Sequence, residues 1–154
     1  MPDETIEILL VEDNDNDVEL ALHALRKSGL ANRIQVSRDG EEALDFIFCR
    51  GLYRARTFNR FVRLIVLDLK LPKVGGMEVL RQLKSDPRTR DIPVIALTDS
   101  NELIDVTRAY ELGVNGHIQK PMDFAKLWET VNELGMYWML VNQRPAYLAP
   151  LTAD

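Results

Sequence analysis

The sequence predicts a doubly wound α/β domain. Strand-like and helix-like segments alternate five times along 154 residues, which implies a parallel sheet with helices on both faces. Three of the strand-like runs are continuously apolar, as expected for parallel strands that are buried on both faces. A chain of this length can build one sizeable core. We therefore expect a single α/β domain over residues 1–141, followed by a tail of residues 142–154.

The five predicted strands are short, and the first, third and fourth are the continuously apolar runs. The second and fifth contain more polar residues. No segment approaches the roughly 18 apolar residues that a membrane span requires, so no membrane helix is expected. In chain order, the predicted strands are residues 6–11, 34–37, 64–68, 92–98 and 116–118.

The five predicted helices are amphipathic. In the first, Val18, Ala21, Leu22 and Leu25 recur at the spacing of one helix face, and Gly29 is placed to end the helix. The other four are predicted to span residues 41–49, to end near residue 87, to span residues 102–112, and to begin after residue 121.

The composition indicates a soluble protein of the cytoplasm. The net charge is −5 and charges of both signs are mixed along the chain, which argues against a nucleic-acid or anionic-membrane partner for the whole protein. Cys49 is the single cysteine, so an internal disulfide is excluded. The first seven residues are polar and acidic, unlike a secretory signal peptide.

Ionisable and hydroxyl side chains follow the predicted strands at the points where these strands end. Glu12 and Asp13 follow the first strand, Asp68 ends the third, Thr98 ends the fourth, and Lys120 follows the fifth. Because the carboxyl ends of parallel strands meet at one edge of a sheet, we expect these side chains to lie close together. Clustered carboxylates repel each other, so the pattern indicates a divalent cation and phosphoryl chemistry.

Each of these residues also has a purely structural interpretation. Glu12 and Asp13 could cap the first helix, since acids are favourable near a helix N-terminus. Thr98 could be an ordinary hydroxyl at a strand end, and Lys120 could be a solvated loop lysine. The occurrence of all five at these positions favours the functional interpretation.

The motifs together resemble the receiver domain of two-component response regulators, over residues 5–135. This resemblance implies a flavodoxin-like doubly wound five-stranded parallel sheet in the order 2-1-3-4-5, with five helices and a C-terminal extension. The segments that carry it are, in chain order, Val11-Glu12-Asp13, Leu67-Asp68, Leu71-Pro72, Gly75-Gly76, Thr98 and Lys120-Pro121.

The resemblance implies how the acidic residues act. Asp68 would be the nucleophile that accepts a phosphoryl group from a sensor histidine kinase. Asp13, Asp68 and the backbone carbonyl of Lys70 would hold Mg²⁺, which prefers oxygen ligands. Glu12 would act through a water molecule bound to that cation.

The resemblance also implies how phosphorylation is stabilised and read. Lys120 would neutralise charge on the phosphoryl group, and Pro121 would hold Lys120 in a turn. Thr98 would bond the arriving phosphoryl group and move its own loop. The usual aromatic switch residue is replaced by His117, which could either rotate as a switch or lie on an exposed edge strand. Asp99 adds negative charge near the site and is expected to slow phosphorylation.

Residues 50–63 form a predicted loop in which five arginines alternate with three aromatic residues. Arginines among aromatic side chains can mark nucleic-acid contact. A solvated loop whose aromatic rings cover the sheet edge is the favoured interpretation. If the loop does bind, a partner protein is favoured over nucleic acid because the overall charge is negative.

Residues 135–141 continue the last predicted helix and are apolar on nearly every side. One helix face cannot bury all of this surface against its own sheet, and exposed apolar surface marks interaction sites. The segment could instead fold back over its own domain, but we expect a twofold homodimer. The predicted interface residues are Phe124, Trp128, Tyr137, Trp138 and Leu140.

Several features are similar to the stand-alone response regulators that partner bacterial phytochromes. These are the long loop between the second helix and the third strand, the segment Leu83-Lys84-Ser85-Asp86-Pro87 before Ile92-Pro93-Val94, and the terminal helix that ends in Tyr137-Trp138. The prediction is a single-domain response regulator, phosphorylated by a histidine kinase and signalling through protein contacts. The alternative is a phosphotransfer intermediate that passes the group from Asp68 to a histidine of another protein.

Two other classes of protein fit the sequence poorly. A phosphohydrolase of the haloacid dehalogenase type needs an aspartate two residues after the nucleophile, where this chain has Lys70. A flavin or nucleotide carrier needs a phosphate loop rich in glycine or hydroxyl residues after the first strand. Residues 12–15 are acidic or polar instead, so we expect no enzyme beyond phosphorylation of its own Asp68.

Overall fold

The computed structural model describes residues 6–27, 34–56, 58, 62–99 and 103–120. The strands are β1 (Ile8–Val11), β2 (Ile34–Ser37), β3 (Leu64–Asp68), β4 (Val94–Thr98) and β5 (Gly116–Gln119). The helices are α1 (Asp15–Lys27), α2 (Gly40–Phe48), a short 3₁₀ helix (Gly51–Tyr53), α3 (Gly76–Ser85) and α4 (Leu103–Glu111). Within these residues, no helix is both long and apolar enough to cross a bilayer.

The five strands form one parallel sheet in the order β2-β1-β3-β4-β5, which confirms the predicted topology. The strand order reverses between β1 and β3, the position at which doubly wound folds form their sites. The sheet pairing continues past the strand ends, because Glu12 N donates to Ser37 O at 3.0 Å and Leu69 N donates to Leu97 O at 2.9 Å. The carboxyl ends of the strands are therefore held at one edge.

The core has two apolar clusters, one on each face of the sheet. Side chains alternate between the two faces along each strand, so neighbouring residues of β1 and β3 enter different clusters. The cluster under α2 and α3 contains Leu9, Val11, Ile65, Leu67, Leu80 and Leu83. The cluster under α1 contains Ile8, Leu10, Val18, Leu64, Val66 and Ile118.

The predicted strand starts were wrong at two places. β1 begins at Ile8 rather than at residue 6, because Glu7 O accepts hydrogen bonds from both Arg63 N and Leu64 N. This shared acceptor breaks the regular ladder. β4 begins at Val94 rather than at residue 92, because Pro93 has no amide hydrogen to donate. The predicted fifth helix, the proposed helix stop at Gly29 and the tail lie outside the described residues.

The described part of the arginine-rich segment is folded against the core. Tyr53 and Phe58 pack on the cluster under α2 and α3, and the Tyr53 hydroxyl donates to Glu42 Oε2 at 3.0 Å. The Arg56 guanidinium lies 3.8 Å from the centre of the Phe46 ring. These contacts agree with a loop whose aromatic rings cover the sheet, and they add a 3₁₀ turn that the sequence did not predict.

Candidate functional site

Three carboxylates converge at the carboxyl edge of the sheet. Glu12 and Asp13 follow β1 and Asp68 ends β3, and one oxygen from each lies within 4.8 Å of the others. Glu12 is only 1% exposed and Asp68 only 5% exposed, whereas Asp13 faces solvent. Buried carboxylates are stable only when a cation or hydrogen-bond donors offset their charge, so this edge requires positive partners.

Lys120 supplies one such partner. Its Nζ lies 2.6 Å from Glu12 Oε1, 2.9 Å from Asp17 Oδ2 and 3.3 Å from Asp68 Oδ2. The backbone of Lys120 is fixed beside β4, because its amide donates to Thr98 O. The ammonium group is thus held among carboxylates that come from two strands and one helix.

Burial and the neighbouring charges shift the pKa values of Glu12 and Lys120 in the same direction. Burial raises the pKa of Glu12 to about 7; the hydrogen bond from Lys120 opposes this rise, and neighbouring Asp68 adds to it. Burial lowers the pKa of Lys120, but hydrogen bonds to Glu12 and Asp17 and the charge of Asp68 outweigh it, so the pKa lies above its ordinary value. Lys120 therefore stays charged at neutral pH, while Glu12 ionises with difficulty.

The loop after β3 orients Asp68. Lys70 N donates to Asp68 Oδ1 at 2.9 Å, while Asp68 Oδ2 faces Lys120. The loop folds back tightly, since Gly76 N donates to Leu69 O at 3.2 Å. A Cβ atom on Gly76 would lie only 2.4 Å from Asp68 O, so glycine is required where α3 begins. Both carboxylate oxygens of Asp68 thus have fixed partners.

Thr98 and an ion pair lie at the neighbouring strand end. Thr98 is the last residue of β4 and is buried, and β4 pairs directly with β3 through Asp68 and Leu97. Lys70 Nζ lies 2.9 Å from Asp99 Oδ1, and this hydrogen bond lowers the pKa of Asp99. The ion pair connects the loops that follow β3 and β4, on either side of the Asp68–Thr98 edge. It also offsets the negative charge that Asp99 was expected to add.

Residues 8–132 match the family model described as the response regulator receiver domain. This match spans more than half of the 154 residues. The chain belongs to the receiver domain family. The sequence resemblance to receiver domains is therefore confirmed.

Curated relatives of this receiver cover most of its length. It is 42% identical to "Probable methanogenesis regulatory protein FilR2" of Methanothrix harundinacea, over 90% of this chain and 86% of that protein. It is 36% identical to "Response regulator Rcp1" of Synechocystis, over 90% of this chain and 92% of that protein. Both relatives match this chain over nearly their whole length.

Solved structures of phytochrome response regulators share the receiver fold of this chain. The phosphorylated cyanobacterial phytochrome response regulator RcpA has a TM-score of 0.82 and 35% identity, over 93% of this chain and 100% of that chain. The Mn²⁺-bound form of Rcp1 has a TM-score of 0.80 and 36% identity, over 90% and 98%. The bacteriophytochrome response regulator RtBRR has a TM-score of 0.75 and 45% identity, over 94% and 86%. The receiver is thus related to stand-alone phytochrome response regulators.

The acidic edge of this receiver fits a small divalent cation. All the donors are carboxylate oxygens, which are the ligands that Mg²⁺ and similar hard cations prefer. Glu12, Asp17 and Asp68 contact the ammonium group of Lys120, and Asp13 lies beside Glu12 and Asp68. Burial raises the pKa of Glu12 to about 7, and a bound cation would favour the ionised form of this carboxyl group.

The sequence interpretation of this receiver missed Asp17. The structure places its carboxylate against Lys120, because α1 begins immediately after the acidic pair and Asp17 lies in its first turn. Asn14 caps the helix by accepting a hydrogen bond from Asp17 N at 2.9 Å. The signal available in the sequence was an acid at the start of the first predicted helix, shortly after the acidic pair.

The remaining predicted residues are less connected to the site. His117 lies half-buried on β5, and its Nε2 is enclosed with no hydrogen-bond partner in the described part of the chain. Burial lowers the pKa of His117. Pro121 lies outside the described residues, as do the predicted interface residues Phe124, Trp128, Tyr137, Trp138 and Leu140.

Proposed function

We propose that this receiver accepts a phosphoryl group on Asp68 from a sensor histidine kinase in the cytoplasm. The observation that carries the proposal is the setting of the Asp68 carboxylate. One oxygen accepts the Lys70 amide and the other faces Lys120, beside the carboxylates of Glu12 and Asp13. The nucleophile is thus held between a backbone N–H group and an ammonium group at the carboxyl edge of the sheet.

In the proposed reaction, an oxygen of Asp68 attacks the phosphorus of a phosphohistidine. The new O–P bond forms as the P–N bond breaks, and the electron pair stays on the imidazole, which takes up a proton. Such transfers depend on positioning and charge neutralisation more than on covalent chemistry. Lys120 stabilises the phosphoryl oxygens, and the Lys70 amide keeps the nucleophile oriented. The protein modifies only itself and turns over no other substrate.

Mg²⁺ is the proposed cation, held by Asp13, Asp68 and the backbone carbonyl of Lys70, with Glu12 acting through a water molecule. When bound, it would supply positive charge to neutralise the phosphoryl oxygens. The carboxylate donor set and the raised pKa of Glu12, caused first by burial, support this assignment. One structural neighbour is described as a Mn²⁺-bound form and another as phosphorylated.

The bound phosphoryl group would change the conformation at the end of β4. Phosphorylation adds a charge of about −1.5 to −2 and new hydrogen-bond acceptors. Thr98, at the end of β4 beside Asp68, would donate its hydroxyl to the phosphoryl group and draw its loop inward. His117 pairs with Ala96 of β4, so a shift of β4 would reach it, and we propose it as a switch residue.

We further propose that the kinase is a phytochrome. Two structural neighbours are described as phytochrome or bacteriophytochrome response regulators, and they match over most of this chain. The test uses two purified, phosphorylated kinases, one a phytochrome and one with a different sensor. The phytochrome should transfer its phosphoryl group to this receiver faster than the other kinase does. Faster transfer from the non-phytochrome kinase would contradict this choice of partner.

We also propose that residues 1–141 form the receiver and residues 142–154 a tail, with a homodimer through the last helix and tail. The support is the apolar composition of residues 135–141. Light scattering should give the mass of two chains for the full protein. Truncation after residue 134 should give one chain. A single chain in every case would contradict the dimer.

The test of the proposed function is the intact mass after incubation with a small phosphodonor. With Mg²⁺ present we expect a gain of one phosphoryl group, and with a chelator in place of Mg²⁺ we expect none. The Asp68→Asn variant should gain none in either condition. No gain by the native protein in Mg²⁺ would overturn the proposal and leave a binding module that is not phosphorylated.

A further inference from the structure

The first residue of α2 contacts the loop that follows the nucleophile. Gly40 N lies 3.4 Å from Pro72 O, to which it donates a hydrogen bond. A Cβ atom at Gly40 would lie 1.9 Å from Val74 O, 2.7 Å from Val74 C and 2.9 Å from Val74 Cβ. The nearest two atoms belong to the backbone, so no side-chain rotation could relieve the overlap. Any side chain at position 40 would push the loop away.

Position 40 needs glycine because the loop packs too closely to leave room for a side chain, and not because the backbone adopts a positive φ. Gly40 is buried and lies outside the left-handed region of φ, unlike Gly51 and Gly113. Its neighbour Asp39 already caps α2 by accepting a hydrogen bond from Glu42 N at 2.7 Å. An alanine at position 40 could therefore adopt the helical backbone, and its only conflict would be with the loop.

The contacted loop, residues 69–75, is short and carries part of the site. Its first half includes Lys70, whose amide orients Asp68 and whose carbonyl is a proposed cation ligand. Its far end is fixed, because Gly76 packs on Asp68 O and Leu69. The tight packing at Gly76 opposes a displacement of Val74 at the α3 end, so we expect the loop to yield within residues 69–75.

A second contact holds the same loop to the same helix. Lys73 Nζ lies 3.6 Å from Asp39 Oδ2 and 3.8 Å from Glu41 Oε1. Lys73 adopts a positive φ of 65°, which turns the loop toward α2. These ion pairs are partly exposed and individually weak, so the close packing at Gly40 is the stronger constraint.

We propose that Gly40 is a positioning residue of the phosphorylation site. By having no side chain, it lets the N-terminus of α2 seat residues 69–75 where Lys70 and Asp68 complete the cation site. The inference rests on the proposed function at Asp68. Although α2 contributes no side chain to the acidic cluster, its first residue would thus control the affinity of that cluster for Mg²⁺.

The test compares Gly40→Ala with Gly75→Ala in the full-length protein. A Cβ atom at Gly75 would contact nothing within 4 Å, and its φ of −68° suits alanine. Gly75 lies in the same loop and is the N-cap of α3, so Gly75→Ala also controls for a loss of stability alone. Titration of each ¹⁵N-labelled protein with Mg²⁺, followed by amide NMR without a phosphodonor, gives the dissociation constants.

We expect Gly40→Ala to weaken Mg²⁺ binding by about 10-fold to 100-fold, the range for groups that orient metal ligands. Gly75→Ala should stay within about twofold of the native protein. The Lys70 amide resonance should already differ from native in Mg²⁺-free Gly40→Ala, but not in Gly75→Ala. Equal dissociation constants for Gly40→Ala and native protein, or equal weakening by both variants, would overturn the inference.

If Gly40→Ala fails to fold, a Mg²⁺ titration of the native protein still tests the inference. The Gly40 amide, which donates to Pro72 O, should shift on addition of Mg²⁺ with the same midpoint as the Lys70 amide. If the Lys70 amide resonance shifts with Mg²⁺ and the Gly40 amide resonance does not, the inference is overturned. Because these titrations contain no phosphodonor, a failure of Asp68 to become phosphorylated is a separate result.

Discussion

Lys120 Nζ lies 2.6 Å from Glu12 Oε1, and this buried contact joins the end of β5 to the end of β1. The two residues are 108 positions apart in the chain, yet each is the strongest electrostatic neighbour the other has in the site. The pair leaves Asp68 between a fixed ammonium group and a carboxylate that ionises with difficulty. The chemistry proposed for Asp68 depends on this balance.

Removal of the ammonium group should slow phosphorylation strongly. Lys120→Gln is expected to lower the rate by about 100-fold to 1000-fold, the usual effect of removing one group that stabilises developing charge. The rate is measured from a time course of intact mass with a small phosphodonor and Mg²⁺. Far-UV circular dichroism checks that the variant is folded. A rate within twofold of native would show that Lys120 has only a structural role.

Asp17 should matter less, as a residue that positions Lys120. Asp17→Asn weakens one charge-assisted hydrogen bond to Lys120, and the expected loss is about fivefold in rate, or about 1 kcal/mol for a partly exposed partner. Asp15→Asn is the matched control, because Asp15 lies in the same first turn of α1, is 87% exposed and pairs with Arg38. Equal effects of the two substitutions would mean that only the charge at the helix end matters.

The Lys70–Asp99 ion pair should influence how long the phosphoryl group persists. The pair ties the loop that follows Asp68 to the loop that follows Thr98, so we expect Lys70→Gln and Asp99→Asn each to admit water and shorten the half-life. Exposed pairs contribute about 0.2–1 kcal/mol, which corresponds to at most about fivefold.

The double variant decides whether these two residues act together. Its half-life should be no shorter than that of the more affected single variant, because either substitution already breaks the pair. Half-lives are measured by following the loss of phosphoryl mass after the donor is removed. If the fold-changes in half-life of the two single variants multiply in the double variant, the residues do not act through the ion pair.

Glu12 should make the stability of the Mg²⁺-free protein depend on pH. Burial raises its pKa from 4.5 to about 7, so the folded protein binds more protons than the unfolded chain between these pH values. The stabilising contribution of Glu12 is therefore full below pH 4.5 and is lost as the pH rises through about 7. One pKa unit corresponds to about 1.4 kcal/mol, which sets an upper limit of about 3 kcal/mol.

Urea unfolding of native protein and Glu12→Gln at several pH values between 4.5 and 8 measures this effect. The native free energy of unfolding should fall relative to that of Glu12→Gln as the pH rises. Glu19→Gln, an exposed position on α1, should follow the native protein throughout. A constant difference between native protein and Glu12→Gln would contradict the raised pKa.

The sequence predicted the fold, and it predicted that Glu12, Asp13, Asp68 and Lys120 meet at one sheet edge, because both depend on local patterns. Continuously apolar runs such as residues 64–67 identify buried parallel strands, and Asp68 or Thr98 at a strand end is then placed by topology. The strand starts were less accurate, since Pro93 and the shared acceptor Glu7 O alter the ladder through pairing with other strands. Local pattern alone does not describe such pairings.

Contacts between distant side chains were the part that the sequence could not predict. Asp17 reads as an ordinary acid in the first turn of a helix, and its approach to Lys120 depends on the direction of α1 over the sheet. Gly40 directly precedes the helix predicted over residues 41–49, and the overlap with Val74 appears only when the loop after β3 is in place. Each of these roles is created by packing between segments far apart in the chain.

The most direct test of the central claim is chemical trapping of the phosphorylated residue. Borohydride reduces an aspartyl phosphate to homoserine and leaves a free aspartate unchanged, so peptide mass spectrometry locates the modified position. After phosphorylation in Mg²⁺, we expect homoserine at position 68 and unmodified aspartate at positions 13 and 17. Homoserine at another aspartate, or a phosphoryl group that resists both borohydride and mild base, would contradict the central claim.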